Sequence, residues 1–355
     1  MRTEEATLRI IETARGKRAK FRDERVTMAH GAGGKATQSM IEGLFAPAFA
    51  SETLEQLGDA GALPELGVAI TTDSFVVKPI RFPGGSIGEL AVNGTVNDLA
   101  VSGARPRALT LSLVLEEGLP ADELRSEIEA IAGAARTAAV EVVAGDTKVV
   151  ERGHADSMYI CTTGIGTIDP RAALSTASIR PGDRVIVSGR VGDHGMAIML
   201  SRGEFELDAD ISSDTRSLWP AADALLDAAG HSLHCMRDAT RGGVASVLNE
   251  LARASGVAMV LREAAVPVHP AVAGAAEILG LDPLYVANEG VLVAFVAAEH
   301  ADQALAALRC VRGCEEAAEV GEVKSDPPGM VLVETGFGGR RVMDMLVGDP
   351  LPRIC

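Results

Sequence analysis

Apolar positions along the chain recur with two periods. Leu124, Ile128 and Ile131 stand at i, i+4 and i+7 behind Pro120, which predicts a helix over 120–138. Val244, Val247, Leu248 and Leu251 share one face of a second helix, over 242–255. Short apolar or β-branched runs predict strands at 68–72, 107–115, 139–144 and 158–168, then at 184–188, 257–261, 291–296, 319–323 and 330–334. Helices over 37–44, 88–101, 193–200 and 214–229 complete the pattern. The turn Pro181-Gly182-Asp183, within 175–183, marks a boundary. Both halves alternate strand and helix, so the expected fold class is α/β, with domains at 27–170 and 178–335. A charge-rich extension, 1–26, precedes them and reads as a short exposed helix or a mobile arm. A tail, 336–355, follows; Pro350 and Pro352 disfavour helix and sheet there, so it reads as extended and mobile.

Composition narrows the function. The chain has 355 residues with 33 Lys+Arg against 49 Asp+Glu, a net charge of −16. Nucleic acids and anionic membranes attract basic surfaces, so neither is an expected partner. No apolar run approaches the length of a membrane-spanning helix, and residues 1–25 lack the apolar core of a secretory signal. The expected location is the cytoplasm. The five cysteines (Cys161, Cys235, Cys310, Cys314 and Cys355) are an odd set in a large chain, not a disulfide framework. Cys310 and Cys314 have a spacing that zinc ligands use, but no second pair lies nearby.

Gly31-Ala32-Gly33-Gly34-Lys35 is not a phosphate-binding Walker loop, because Ala29 and Ala36 break that pattern. It also lacks the preceding strand of a dinucleotide fingerprint. It reads either as a flexible linker or as a flap whose N–H groups and Lys35 close over phosphates. Asp73, Asp98, Asp146 and Asp238 each stand among small or turn-forming residues. Taken singly, each reads as a cap or turn residue; converging, they would need cations between them, as Mg2+ with nucleotide phosphates provides. Thr240 reads as the cap of the 242–255 helix, whose Gly242 and Gly243 allow a phosphate to approach its N-terminus. Asn288-Glu289-Gly290 reads as a turn, or as a carboxylate offered to a cleft between the domains.

The order of these segments resembles a known family. His30–Lys35, Thr72-Asp73-Ser74, Val92–Gly103, Gly145-Asp146-Thr147-Lys148, Arg237–Gly243, Ala287–Gly290 and the terminal Pro352-Arg353-Ile354-Cys355 together resemble the HypE family of hydrogenase maturation proteins, over about 26–355. That family belongs to the superfamily of aminoimidazole ribonucleotide synthetase and selenophosphate synthetase. The resemblance implies a two-domain, PurM-like α/β fold whose N-terminal sheets pair into a dimeric barrel, with ATP and Mg2+ in a cleft near that interface. It implies Asp73, Asp98, Asp146 and Asp238 as metal or phosphate ligands. It implies nucleotide contacts from Gly33, Gly34, Lys35, Asn93, Thr147, Thr240, Gly242, Gly243 and Asn288. It implies Cys355, Glu289, Lys148 and Asp98 as the catalytic set.

The implied reaction places a carbamoyl group on the sulfur of Cys355 and dehydrates it to a thiocyanate with ATP. Glu289 or His194 would accept the nitrogen proton, judged by residue type. A HypF-like carbamoyltransferase would load the thiol, and HypC/HypD-like iron scaffolds would receive the cyanide. Selenophosphate synthetases carry a Cys or selenocysteine in the N-terminal glycine-rich segment, whereas no Cys precedes Cys161 here. Other superfamily reactions leave the terminal Cys without a role. A non-catalytic adaptor carrying a thiol-bound group is the alternative from another class. The fifteen residues 341–355 span at most about 50 Å, enough to swing between a cleft and a partner.

Overall fold

The computed structural model describes residues 21–49, 51–55, 58–203, 209–348 and 353–355. Five strands form the first sheet: β1 (Gly61–Leu63), β2 (Val68–Phe75), β3 (Ala104–Glu116), β4 (Glu141–Val150) and β5 (Met158–Ile168). Their order is β1-β2-β5-β3-β4. The same half holds helices α1 (Lys35–Met40), α2 (Ile87–Val101) and α3 (Ala121–Thr137). β3 and β4 are parallel, and α3 supplies the crossover that a parallel pair requires. α2 is buried almost throughout, with the polar Asn93, Thr95 and Asn97 among its buried residues. It packs under β2 and β5, and its end enters the second domain, where Ala100 and Val101 meet Ile186, Leu218 and Met236. The other face of the sheet has no covering element among the described residues. Ile70 and Ile165 pair across it, and both are exposed.

The second sheet has seven strands: β6 (Arg184–Val187), β7 (Leu233–Asp238), β8 (Ala258–Arg262), β9 (Leu292–Val296), β10 (Ala318–Lys324), β11 (Val331–Glu334) and β12 (Arg340–Met343). The order is β12-β11-β8-β10-β6-β9-β7. Its helices are α4 (Asp193–Ser201), α5 (Trp219–Ala229), α6 (Gly243–Ser255), α7 (Pro270–Leu279) and α8 (Ala301–Arg309). Every residue of β9 is buried, because α6 packs on the face of Val293 and Phe295 while α5 and α8 pack on that of Leu292, Ala294 and Val296.

Three departures from the sequence reading bear on the site. The strand expected over 139–144 does not end there: β4 runs on through Gly145 and Asp146, paired with β3 as far as Glu116 opposite Val150. The helix expected from 214 starts at Trp219, because 214–218 is tied to α2. There the Asn97 amide donates to the carbonyls of Arg216 and Glu289, and its oxygen accepts from Leu218 N. The tail is not mobile throughout 336–355. β12 pairs antiparallel with β11, and residues 353–355 are seated between Val76–Lys78 of the first domain and His194 and Arg202 of the second, with Ile354 in a core cluster that both domains share. Pro350, Pro352 and residues 1–20 of the charged extension lie outside the described residues.

Candidate active site

Three carboxylates converge between the domains. Asp98 comes from α2, Asp238 ends β7, and Asp59 lies just before β1; their oxygens fall within 4.8 Å of one another. Arg237 forms an ion pair with Asp59. Thr71 Oγ1 lies 2.6 Å from Asp98 Oδ2 and 3.0 Å from the Asp59 carbonyl. Asp73 adjoins the group through a hydrogen bond to Asp98, and Thr95 Oγ1 donates to its Oδ2 at 3.4 Å. Burial first, then mutual repulsion, holds Asp98 and Asp238 well above the usual carboxylate range. Asp238 Oδ2 is buried with no hydrogen-bond partner. A hard cation supplies what these oxygens lack, so the donor set fits Mg2+.

The expected ligand set is therefore changed by two residues. Asp59 enters it. Its local sequence, Gly58-Asp59-Ala60-Gly61, reads as a turn, and what marks it is Arg237, far along the chain. Asp146 leaves it. On the sheet, Asp73 pairs with Thr162, Thr162 with Leu111, and Leu111 with Gly145. Asp146 is thus three strand spacings away, roughly 14 Å of backbone separation. It accepts from Lys148 Nζ at 2.6 and 2.9 Å, and Thr147 lies between them on the exposed strand β4.

The glycine loop packs against the turn before α6. Gly33 has φ +72°, and a Cβ there would stand 2.7 Å from the Arg241 carbonyl oxygen. Gly243 has φ +61° and would meet the Leu284 carbonyl oxygen at 2.5 Å, so both positions admit only glycine. The helix cap is Gly242, not Thr240; Thr240 contributes the carbonyl that accepts from Gly243 N at 2.9 Å. Gly34 and Lys35 face the tail: Lys35 N donates to the Leu346 carbonyl at 3.0 Å, and Lys35 Nζ reaches Asp344 at 2.7 Å.

Asn93 and Asn288 hold the framework of the site together. Asn93 Nδ2 donates to Thr215 Oγ1 at 3.2 Å. Asn288 Oδ1 accepts from Gly192 N at 2.7 Å, and its Nδ2 donates to the carbonyls of Ala239 and Val286. Both amides make hydrogen bonds within the protein in this arrangement. Beside Asn288, the Glu289 and Gly290 N–H groups donate to the two carboxylate oxygens of Asp214 at 3.0 and 3.1 Å. Burial, then the charges of Asp238, Asp214 and Asp73, raises Glu289 well above the usual range, against the pull of Arg241.

Cys355 is brought to this same place. It lines a cavity of about 130 Å3 with Arg241, Gly242, Gly31 and Tyr285. Burial pushes its thiol up to about 12; Arg241 works in the opposite direction, and Glu289, Asp73 and Asp238 add to the rise. Arg241 was not singled out from the sequence. It donates to the Gly31 carbonyl at 3.0 Å, and its charge faces Cys355, Asp73 and Glu289. A larger cavity of about 890 Å3 opens beyond the glycine loop, lined by Gly34, Thr37, Ala60, Ile70, Arg237 and Glu250 among others. Its size suits a nucleotide. Burial raises Glu250 on its wall to about 7.

The two domains match the family models of AIR synthase related proteins: the N-terminal domain over 57–168 and the C-terminal domain over 180–333. Fold and carboxylate cleft thus define a two-domain protein of the AIR synthase related class. Within it, the chain belongs to the HypE family of carbamoyl dehydratases. It is 49% identical to carbamoyl dehydratase HypE of Azotobacter vinelandii over 340 residues, 95% of this chain and 99% of that one. A solved HypE–HypF complex superposes with a TM-score of 0.83 at 42% identity, covering 86% of this chain and 99% of its counterpart. A HypE structure in complex with ATP gives 0.78 at 45%, covering 93% and 100%. No helix among the described residues is long and apolar enough to cross a membrane.

Proposed function

We propose that this protein dehydrates a carboxamide carried on the Cys355 sulfur to a thiocyanate, using ATP, and so makes cyanide for the iron of a NiFe hydrogenase. The observation that carries the reading is the seat of Cys355: the last residue of the chain is drawn into a cavity beside Arg241 and Glu289, next to the aspartates. The carboxamide oxygen attacks the γ-phosphorus and ADP leaves. Two protons then leave nitrogen as the C–O bond breaks, and phosphate departs. An amide oxygen, a poor leaving group, is thereby exchanged for a good one.

Asp59, Asp98 and Asp238 would hold Mg2+, which when bound offsets phosphate charge. Arg241 places a fixed positive charge beside the sulfur and the developing phosphate. Burial and the surrounding carboxylates favour the uncharged form of Glu289, so neutralising the aspartates would make its carboxylate a better acceptor for the nitrogen proton. The large cavity beyond the glycine loop would take the nucleoside.

A HypF-type carbamoyltransferase loads the thiol on this reading, and a HypC/HypD-type scaffold takes the cyanide. The test is a mass spectrum of the C-terminal peptide after incubation with carbamoyl donor, such a transferase, Mg2+ and ATP. Cys355 is expected to gain a carbamoyl group and then lose one water, the second step only with ATP. Carbamoylation with no ATP-dependent loss of water would overturn the reading.

The functional form is a homodimer on this reading, built on the uncovered face of the first sheet. The support is the exposed pair Ile70–Ile165 and the free edge of β4, where Val142, Val143 and Val149 are exposed. An unpaired, apolar edge of ten residues invites a second chain. Asp146, Thr147 and Lys148 lie on that edge, so a partner chain is what would bring them to a nucleotide. Light scattering is expected to give a dimer, and Ile165→Lys a monomer. A wild-type monomer at working concentration with full activity would reject this arrangement.

A further inference from the structure

The last three residues are gripped mainly through their backbone. Val76 N donates to the Cys355 carbonyl at 3.0 Å, and Lys78 N to that of Arg353 at 3.2 Å. Arg202 adds a bond to the Arg353 carbonyl at 2.9 Å. The carbonyl between them, on Ile354, lies 2.6 Å from His194 Nε2. The His194 ring is fully buried, stands edge-on to Phe82, and has Ser213 Oγ 2.8 Å from Nδ1.

The protons on this chain of atoms follow from their chemistry. Burial lowers His194 to about 4, partly offset by the Ile354 bond, so the ring is neutral and carries one N–H. A carbonyl only accepts, which puts that hydrogen on Nε2. Nδ1 then accepts from the Ser213 hydroxyl, whose oxygen takes a hydrogen bond from Thr215 N at 3.1 Å. Both ring nitrogens are engaged, and His194 is not the acceptor of the substrate proton.

We infer that His194 is a positioning residue: its Nε2–H, held in that tautomer by Ser213, latches the main chain at Ile354 and so sets the sulfur of Cys355 in the reaction site. The peptide unit between Ile354 and Cys355 is planar, so fixing its carbonyl also fixes the direction in which Cys355 leaves. The latch shares its foundation with Glu289. Gly192 N, at the start of α4, donates to Asn288 Oδ1, and Gly195 N donates to the Ala287 carbonyl at 3.0 Å. One loop, 287–290, therefore carries Glu289 and sets the helix that bears His194. Because the contact is to a main-chain oxygen, it is indifferent to what the sulfur carries.

The consequence for turnover rests on the dehydration reading; the latch itself is tested without it. In the full chain, alkylation of Cys355 by N-ethylmaleimide at neutral pH is followed by peptide mass spectrometry, which separates it from Cys161 and Cys310. His194→Ala is expected to raise the Cys355 rate about tenfold, the scale of one hydrogen bond. Ser213→Ala should raise it less, and His194→Gln, whose amide restores a donor near Nε2, should return it toward wild type. In the carbamoylated chain, His194→Ala should slow ATP-dependent loss of water about tenfold with an unchanged KM for ATP, while loading by the transferase does not fall. Cys355 labelling at the wild-type rate in His194→Ala overturns the latch, as does equal opening of buried Cys235 and Cys314, which marks general unfolding. A wild-type carbamoylated chain that loses no water with ATP defeats the dehydration reading and leaves the labelling result to decide the latch.

Discussion

Asp98→Asn is expected to make the ligand-free protein more stable and its ATP-dependent turnover at least about 100-fold slower, the cost of removing a preorganised charged group from a reaction site. Both effects come from one geometry. Asp98 shares a 4.8 Å cluster with Asp59 and Asp238, beside Asp73. Without cations, each charge there is desolvated and repelled. Asparagine keeps an acceptor for Thr71 and removes one charge. A more stable ligand-free variant at neutral pH is the expected result.

The pH dependence has a definite sign. The folded-state pKa of Asp98 lies above its unfolded value, so the folded chain binds more protons between the two. This contribution to stability is present at low pH and lost as pH rises through the folded value. The advantage of the variant over wild type should therefore shrink as pH falls toward about 4, the unfolded value. Adding Mg2+ should stabilise wild type and not the variant. Urea denaturation at two pH values, with and without Mg2+, checks all of this. A variant less stable than wild type in the absence of metal would contradict the repulsion argument, and wild-type turnover would remove Asp98 from the site.

Where the sequence reading succeeded, the cause was local. α3 and α6 announce themselves through apolar spacing, and α2 through small residues that stay buried almost throughout. β7 was missed because Leu233–Asp238 holds a histidine and an arginine inside six residues. His234 is accommodated only because Asp183 lies 2.8 Å away. α7 and α8 bury mostly alanines, which carry little pattern. The site failed to read where its logic is non-local. Asp59 is defined by Arg237, and Asn97 by the 216–218 segment it anchors. Asp146, implied as a ligand by the family resemblance, lies on β4, whose pairing with β3 carries the strand straight through it and away from the cluster within one chain.

The tail shows how a wrong expectation about order leaves the chemical expectation intact. Tyr285 Oη donates to the Asp344 carbonyl at 2.7 Å, and Lys35 N ties down Leu346. The chain is thus tied down as far as Leu346, and the nine residues from 347 span at most about 30 Å when extended, not 50 Å. On the proposed reading, a transferase would have to come close to the cleft to meet the sulfur. Lys35 gains a second meaning as well. It is paired with Asp344 in this arrangement, so phosphate and tail would compete for the same ammonium group.

Replacing Cys355 by alanine is expected to abolish both carbamoyl uptake and cyanide formation while leaving the fold and ATP binding unchanged. The docked thiol, raised to about 12, is protonated at neutral pH. An undocked cysteine has a pKa near 8.5–9, so docking lowers the thiolate fraction. On the proposed reading this seat disfavours loading, so loading and dehydration would use two positions of Cys355. No other cysteine meets both needs. Cys235 is buried and pushed to about 12 within β7, and Cys314 is buried behind Arg216. Cys161 pairs with Ser112 and Ser74 within the first sheet, and Cys310 caps α8 at the surface. Isotope-labelled carbamoyl donor followed by peptide mapping checks the assignment, with nucleotide binding by calorimetry as the control. Label on Cys161, Cys235, Cys310 or Cys314, or uptake by Cys355→Ala, would overturn it. Loss of ATP binding in the same variant would show instead that the residue serves the nucleotide cleft, since only a carrier leaves that cleft untouched when its sulfur is removed.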